Sequence, residues 1–389
     1  MQIRSQAWGA LVTSAILIGA CGGTPAATPV ATPAPATAAP ATAAPTDAPT
    51  DPPATAGGLI VVLMPSSTNA YLAQWQEGAK EKAAALGYDI RIIENNFDQA
   101  EQDTQTQQQL ASAEQPVGWV WWPANQEAGL ASLRSLSETD LPVVQTNQLP
   151  LEGTEDYWTA YAGVDDILNG WTAANLLIEE MTEKGQDVAN IGNGIIARFP
   201  IGYSAGDARI EGFEQRLTEA NIEYNIAAIG DAGFQETEGY NVTSQLLPAN
   251  RAQGVTWLYG NNDALAIGMV EAAEENSYTP GEDIFIVGGT CHGDPGPVVS
   301  GQLVGSAIQS AFLEGWLTVQ VLHKAIANGE VMDGDNPDST SIDPDTAPAD
   351  DGPAYKYNFM PNPELVNEDD TVFTDTNLWG FTAEALCDY

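Results

Sequence analysis

The sequence is short of basic residues. It holds 12 lysines and arginines against 53 aspartates and glutamates, which gives a formal net charge of −41 at pH 7. A surface with this excess of negative charge repels phosphate backbones and anionic lipid headgroups. The composition therefore argues against nucleic acid as a partner.

Histidine is almost absent, and this scarcity argues against catalysis. The two histidines are His292 and His323, and His323 lies inside a predicted helix. A nucleophilic triad needs a histidine base, and only His292 lies outside a predicted helix. The sequence also has no phosphate-loop lysine motif. Histidine and cysteine are also too sparse for a metal site. We predict a protein that is not an enzyme and needs no metal ion or cofactor.

Long apolar runs are lacking except at the N-terminus. The segment from Ala7 to Ala20 follows the basic residue Arg4 and is too short to span a hydrocarbon core of ~30 Å as a permanent helix. Its character is that of a signal-peptide core. Residues 1–20 are therefore predicted to be a signal peptide.

The residues around Cys21 read Leu-Ile-Gly-Ala-Cys-Gly-Gly and resemble the processing site of bacterial lipoproteins. The resemblance implies a lipid on Cys21, and an incidental cysteine after an ordinary signal peptide is the alternative. Residues 21–57 are rich in Ala, Thr and Pro and are predicted to be an extended, solvated tether. We expect a protein of the cell envelope, anchored only by its lipid on the outer face of the cytoplasmic membrane or in the periplasm.

Cysteine is rare beyond that site. Cys291 and Cys387 remain as an even pair in an exported protein, where a disulfide persists. A bridge between them and two free buried thiols are both compatible with the sequence.

The globular part, about 330 residues, is long enough for two domains. Short β-rich runs alternate with helical patterns, which is typical of an α/β fold with parallel sheets. In such sheets ligands bind beyond the carboxyl ends of the strands, where polar residues collect in this sequence. The predicted strands are 59–64, 88–93, 117–122, 142–146, 188–192, 223–229, 255–259, 284–287 and 303–308.

Several motifs of this region resemble those of type I periplasmic binding proteins, and within them the ribose-binding group. They are Ser-Ser-Thr-Asn-Ala-Tyr at 66–71, Gln-Glu-Gly-Ala at 76–79, Arg-Ile-Glu-Gly-Phe at 209–213 and Gly-Asn-Asn-Asp-Ala-Leu-Ala-Ile-Gly at 260–268. The resemblance implies two Rossmann-like lobes joined by three hinge crossings. Such proteins close around one small ligand and deliver it to the permease of an ABC importer.

The resemblance also implies how the chain divides. Residues 58–164 and 310–329 are expected to form the N-terminal lobe, and residues 165–309 and 330–389 the C-terminal lobe. Within the latter, residues 333–351 are acidic and proline-rich and are interpreted as a solvated loop rather than a calcium site. The terminal segment is apolar enough to pack on a lobe, and a Cys291–Cys387 bridge would hold it beside the cleft.

In the N-terminal lobe, the resemblance implies a ligand contact at Asn69 and at Tyr71, whose ring could stack on a sugar face or begin the core of its helix. Trp122 is a further candidate, because one of the pair Trp121 and Trp122 should face the core. Asn147 and Gln148 stand where ribose-like proteins have Asp and Arg. The uncharged amides leave the preferred ligand open.

Further candidates belong to the C-terminal lobe and its crossings, namely Asp165, Arg209, Phe234, Asn262, Thr290, His292 and Gln309. Asp165 and Asn262 are also suited to cap helices. Arg209 either grips ligand oxygens or forms a surface ion pair with Asp207 or Glu211. Thr290 or His292 replaces an aspartate that the family has there, and Gln309 binds the ligand or supports the hinge.

The sequence thus predicts a lipid-anchored receptor that binds a monosaccharide or related polyol for an ABC importer. A non-sugar ligand, such as a nucleoside, a furanose-like signal or a carboxylated metabolite, is one alternative. A receptor that signals to a sensor kinase is the other.

Overall fold

Two β-sheets organise the chain in the computed structural model, which describes residues 57–66, 68–341, 347–366, 374 and 377–387. The strands are β1 (Leu59–Pro65), β2 (Asp89–Asn95), β3 (Pro116–Trp121), β4 (Val143–Thr146), β5 (Ala160–Gly163), β6 (Asn190–Arg198), β7 (Glu223–Asp231), β8 (Val255–Gly260), β9 (Phe285–Gly289), β10 (Gly305–Ala307), β11 (Val331–Asp335), β12 (Ala354–Phe359), β13 (Glu364–Val366), β14 (Asn377–Leu378) and β15 (Phe381–Thr382). The predicted signal peptide, the lipid site Cys21 and the tether up to residue 56 lie outside the described residues.

Helices lie between most of these strands. They are α1 (Ala70–Leu86), α2 (Gln99–Leu110), α3 (Leu130–Ser137), α4 (Asp166–Glu183), α5 (Ser204–Glu219), α6 (Glu236–Asn250), α7 (Asp263–Glu275), α8 (Gly296–Val299), α9 (Ala311–Asn328) and α10 (Ala383–Leu386). Among the described residues, no helix combines the length and apolar character that a membrane span requires.

The N-terminal lobe is built on a seven-stranded sheet in the order β11-β12-β5-β4-β3-β1-β2, and its strand pairs are parallel. The C-terminal lobe has a six-stranded sheet in the order β13-β10-β9-β8-β6-β7, in which β13 alone is antiparallel to its neighbour. Helices cover the sheets, so central strands such as β1 are buried almost throughout. The predicted α/β fold with two lobes is confirmed.

Within the described residues, the chain passes between the two large sheets three times. The crossings follow β5, β10 and β12, at residues 164–165, 308–310 and 360–363. Helix α4 then packs in the C-terminal lobe, whereas α9 packs on α1 in the N-terminal lobe. The three crossings that the family resemblance implies are present.

The C-terminal extension does not lie in the lobe to which it was assigned. Of residues 330–389, the strands β11 and β12 belong to the N-terminal sheet, and only β13 joins the C-terminal sheet. β12 extends the sheet because Tyr357, Asn358 and Phe359 pair in parallel with residues 161–163 of β5. The predicted loop at 333–351 also begins inside β11. An acidic, mostly exposed strand such as β11 lacks the apolar pattern from which strands are predicted.

Two pairs of helices touch through glycines. On α4 and α5, a β-carbon on Gly170 would collide with the carbonyl of Arg209, and one on Gly212 with the carbonyl of Ile167. Gly78 of α1 and Gly315 of α9 meet in the same reciprocal way in the other lobe. The backbones therefore approach more closely than any larger residue permits. The position of Arg209 depends on this contact.

We expect Gly212→Ala to lower the free energy of unfolding by roughly 1–3 kcal/mol, measured by urea denaturation, because the added methyl group must push two helices apart. Alanine is the better helix former by about 1 kcal/mol, so the expected sign is opposite to that of helix propensity alone. Glu211→Ala, an exposed change in the same helix turn, is the control and should stay within about 0.5 kcal/mol of wild type. Equal stability of Gly212→Ala and wild type would contradict the packing described.

Candidate functional site

A narrow cavity lies between the lobes, at the carboxyl ends of both sheets. Ten of the twelve predicted binding residues line it: Asn69, Tyr71, Trp122, Asn147, Arg209, Phe234, Asn262, Thr290, His292 and Gln309. The lining also includes Leu72, Phe97, Phe199 and Tyr203, which are not among those twelve.

Aromatic rings form much of the cavity wall. Phe234 stacks on Phe97 with ring centroids 5.2 Å apart and contacts Phe199 and Tyr203 at 5.0 and 5.1 Å. Tyr71 meets the edge of Trp122 at 6.2 Å. Trp121, by contrast, is buried in the cluster on the opposite face of the sheet, as strand alternation requires. The cavity thus offers apolar ring faces from both lobes.

Arg209 is buried beside the cavity and donates three hydrogen bonds. Its Nε donates to Asp166 Oδ1 at 2.8 Å and its Nη1 to the carbonyl of Asn261 at 2.6 Å, while Nη2 donates to Gln309 Oε1. The surface ion pair considered for this arginine does not form, because Arg209 is buried and pairs with Asp166, while Asp207 pairs with Arg198. Burial raises the pKa of Asp166, and the guanidinium opposes that rise.

Glu314, in the first turn of α9, was not predicted and completes this network. Its carboxyl is fully buried, and Tyr71 Oη donates to Oε2 at 2.8 Å. Gln309 Nε2 in turn donates to Tyr71 Oη at 2.6 Å. Burial raises the pKa of Glu314 to about 8. Its one sequence signal is an acidic residue amid the apolar start of a helix, five positions after Gln309.

Asn147 links the two lobes across the cavity. Its Nδ2 donates to Glu314 at 3.2 Å, and its Oδ1 accepts from the hydroxyl of Tyr203 at 2.7 Å. Trp122 Nε1 donates to the same hydroxyl at 3.4 Å. Since Tyr203 precedes α5 in the C-terminal lobe, these bonds hold the lobes in a closed arrangement.

Two predicted residues do not line the cavity. Gln148 is buried and turns to the neighbouring strand end, where its Nε2 donates to the carbonyl of Pro123 at 2.7 Å. Asp165 caps α4 by accepting from the backbone N–H of Leu168 at 3.0 Å. The neighbouring carboxylate, Asp166, is the one that contacts Arg209. It is the first residue of α4, and its position on the helix turns its side chain toward that arginine.

Several lining residues combine structural and surface roles. Asn69 caps α1 and Asn262 caps α7, each accepting a backbone N–H at 2.9 Å, and both still line the cavity. Thr290 Oγ1 and His292 Nδ1 lie 2.7 Å apart in the loop after β9. Burial lowers the pKa of His292 to about 4, so its ring is neutral at pH 7.

A family model described as periplasmic binding protein domain matches residues 60–330, which is more than half of the 389 residues. The chain belongs to the periplasmic binding protein family. Its predicted membership of the type I, ribose-like group is confirmed. Residues 331–389, with β11 to β15, lie beyond the matched segment.

The relatives of this periplasmic binding protein are distant but match along most of their length. The ribose import binding protein of Salmonella typhimurium is 24% identical over 282 residues, which cover 72% of this chain and 88% of the relative. A solved galactofuranose binding protein superposes with a TM-score of 0.65 at 18% identity, covering 81% of this chain and 95% of that one. A Bacillus halodurans solute binding protein with bound myo-inositol gives 0.64 at 19% identity, covering 81% and 96%.

In this periplasmic binding protein a disulfide joins Cys291 to Cys387, with Cα atoms 4.8 Å apart. Of the two states that the sequence allowed, the bridged one is present. Cys291 belongs to the C-terminal lobe and directly precedes the cavity residue His292. The tail that carries Cys387 packs on α9 of the N-terminal lobe, where Phe381 meets Phe312 and Trp379 meets Trp316. The bridge therefore joins a cavity loop of one lobe to a segment seated on the other.

We expect loss of the bridge to cost this periplasmic binding protein about 3–5 kcal/mol of unfolding free energy, because it closes a loop over a sequence separation of 96 residues. Urea denaturation with and without a phosphine reductant measures the loss. The double variant Cys291→Ser/Cys387→Ser should show no response to the reductant. A reductant effect of equal size in that variant would exclude the bridge as its cause.

The buried carboxyl of Glu314 should make stability depend on pH. An unfolded chain releases this proton near pH 4.5 and the folded chain near pH 8, so between these values the folded state holds the extra proton. As the pH rises from about 5 to about 8, the free energy of unfolding of the wild type should therefore fall by on the order of 4 kcal/mol relative to that of Glu314→Gln. Above about pH 8 it should fall little further. Chemical denaturation across this range, with the exposed change Glu211→Gln as the control, measures the difference. A difference that stays constant with pH would contradict the shifted pKa.

Proposed function

We propose that this protein is the solute-binding component of an ABC importer and that it binds one monosaccharide or related polyol between its lobes. The observation that carries the proposal is the composition of the cavity wall. Ring faces from Phe97, Phe199 and Phe234 stand beside uncharged polar groups such as Asn69 and Asn262. A sugar presents the same two features, because its C–H faces are apolar and its rim carries hydroxyls.

The state of charge of the cavity supports a neutral ligand. The guanidinium of Arg209 is paired with Asp166 and bonded to Asn261 and Gln309. His292 is neutral at pH 7. The remaining cavity amides and hydroxyls both donate and accept hydrogen bonds, as sugar hydroxyls require. An anionic ligand would find no uncommitted cation among the described lining residues.

The relatives support the same chemical class. They are named for, or were solved with, ribose, galactofuranose and myo-inositol, three compounds rich in hydroxyl groups. The ring sizes and stereochemistry of these compounds differ, so the common feature that we carry over is the polyhydroxylated ligand rather than any one sugar.

The two lobes provide a physical basis for ligand-dependent closure. Contacts such as Tyr203 to Asn147 cross the cleft, and a ligand that touches both lobes would add to them. Closure is then a population shift whose size equals the difference in ligand affinity between the closed and open forms. A closed receptor presents one continuous surface from both lobes to a permease.

We also propose that the protein works at the outer face of the membrane, held by a lipid on Cys21. The support is the sequence alone, through the apolar run before Cys21 and the Ala/Thr/Pro-rich tether after it. A tether of this composition would let the receptor reach the importer while the acidic surface keeps it soluble.

A thermal-shift screen of residues 53–389, which form one compact unit, should find stabilisation by a pentose, hexose or polyol. A ligand at 100 times its dissociation constant adds about 2.7 kcal/mol of stability, which raises the midpoint visibly. Nucleosides, amino acids and sugar acids in the same screen represent the other ligand classes. A shift produced only by one of those classes would contradict the sugar assignment.

For the compound that binds, Phe234→Ala should weaken affinity at least tenfold in calorimetry, because it removes an aromatic wall that three other rings contact. Tyr278→Ala is the matched control, since Tyr278 is an aromatic residue of the same lobe that packs outside the cavity lining. Equal loss in both variants would indicate general damage to the lobe rather than loss of a ligand contact.

A further inference from the structure

Glu314 is buried behind the cavity wall rather than on it. Its carboxyl accepts hydrogen bonds from two side chains, Tyr71 and Asn147, and both of these line the cavity. Among the described residues, no basic side chain forms an ion pair with it. Burying a carboxyl without a cation lowers the stability of the fold. Because both side chains that donate to Glu314 line the cavity, this carboxyl is placed to act on a ligand through them.

The hydrogen bonds around Glu314 form two chains that end on it. In one chain Arg209 donates to Gln309, Gln309 to Tyr71, and Tyr71 to Glu314. In the other chain Tyr203 donates to Asn147, and Asn147 to Glu314. When the carboxyl is ionised, every donor in both chains points toward it, because a carboxylate only accepts.

A protonated Glu314 would reverse one of these bonds. Its proton needs an acceptor, and the amide nitrogen of Asn147 cannot accept, whereas the hydroxyl oxygen of Tyr71 can. Tyr71 Oη would then accept from both Gln309 and Glu314, and its own hydrogen would be free to turn to the cavity. With the carboxylate, by contrast, that hydrogen is committed to Glu314, and Tyr71 offers the ligand only a lone pair.

We propose that Glu314 is a positioning residue that sets whether the hydroxyl of Tyr71 donates to the ligand or accepts from it. This inference rests on the proposed function, because a polyhydroxylated ligand is a partner that can meet either state. The acid form presents a donor, and the carboxylate presents an acceptor at the same atom. The receptor therefore offers its ligand one hydrogen-bond pattern when Glu314 is protonated and another when it is ionised.

The groups that surround Glu314 place this change near neutral pH. Burial dominates and raises its pKa to about 8, while the hydrogen bonds from Tyr71 and Asn147 lower it. From α4, Asp166 raises the pKa, and from α5, Arg209 lowers it. Tyr161 on β5 and Tyr203 also face the group, but burial raises the pKa of each tyrosine, so both stay neutral throughout.

The inference is tested without ligand by carbon NMR of protein carrying ¹³Cζ-tyrosine and ¹³Cδ-glutamate, titrated from pH 5.5 to 10. The Tyr71 signal, assigned through Tyr71→Phe, should shift with the midpoint of the Glu314 carboxyl signal. The shift should vanish in Glu314→Gln and persist in the control Glu211→Gln. A Tyr71 signal that does not change as Glu314 titrates would overturn the proposal, and the wild type alone provides this result if Glu314→Gln does not fold.

The second part uses D-ribose and myo-inositol as probes in calorimetry over the same pH range. For a probe that binds, the dissociation constant should change at least fivefold about the Glu314 midpoint, and it should be independent of pH in Glu314→Gln. A flat wild-type profile would overturn the link to the ligand. If neither probe nor any other polyol binds, the proposed function fails while the NMR result on Tyr71 still decides the hydrogen-bond reversal.

Discussion

The buried guanidinium of Arg209 connects the parts of the structure that form the cleft. It bonds the start of α4 just after the first crossing, the end of β8, and Gln309 in the second crossing. Removing one member of a buried pair leaves an uncompensated charge, at a cost of ~3–5 kcal/mol. The close contact of α4 and α5 at Gly170 and Gly212 positions this side chain. Hinge geometry, helix packing and cavity shape are thus coupled through one residue.

From Arg209 the same network reaches the N-terminal lobe. Gln309 is hydrogen-bonded to Tyr71, and Tyr71 to Glu314. Glu314 also accepts from Asn147, which is bonded to Tyr203 of the C-terminal lobe. A chain of polar side chains, in which each orients the next, therefore runs along the cavity from Arg209 to Tyr203. Such networks are worth more than the sum of their bonds, and they hold their members in one arrangement. Aromatic faces fill the spaces between these polar groups.

The sequence was sufficient to predict the lobes and most of the cavity, because buried strands are easy to recognise and parallel strands bring their carboxyl ends together. It was not sufficient where the outcome depended on one step of the backbone, as with Asp165 and Asp166 at the start of α4. Glu314 escaped prediction because its role depends on α9 packing against α1, far away in the chain. Phe97 lies in a loop where its φ of 56° sets the ring direction, which composition does not reveal.

The tail beyond the family match was the least predictable part, and it changes how the molecule moves. Three crossings and the Cys291–Cys387 bond tie the two lobes, and the bond closes a covalent circuit that passes through both. A rotation that opens the cleft must either keep those two backbones adjacent or peel α10 from α9. The angle of opening thus has a limit fixed by covalent chemistry as well as by the ligand. A molecule folded in a reducing compartment would lack the disulfide and this limit, and its cleft would open to larger angles.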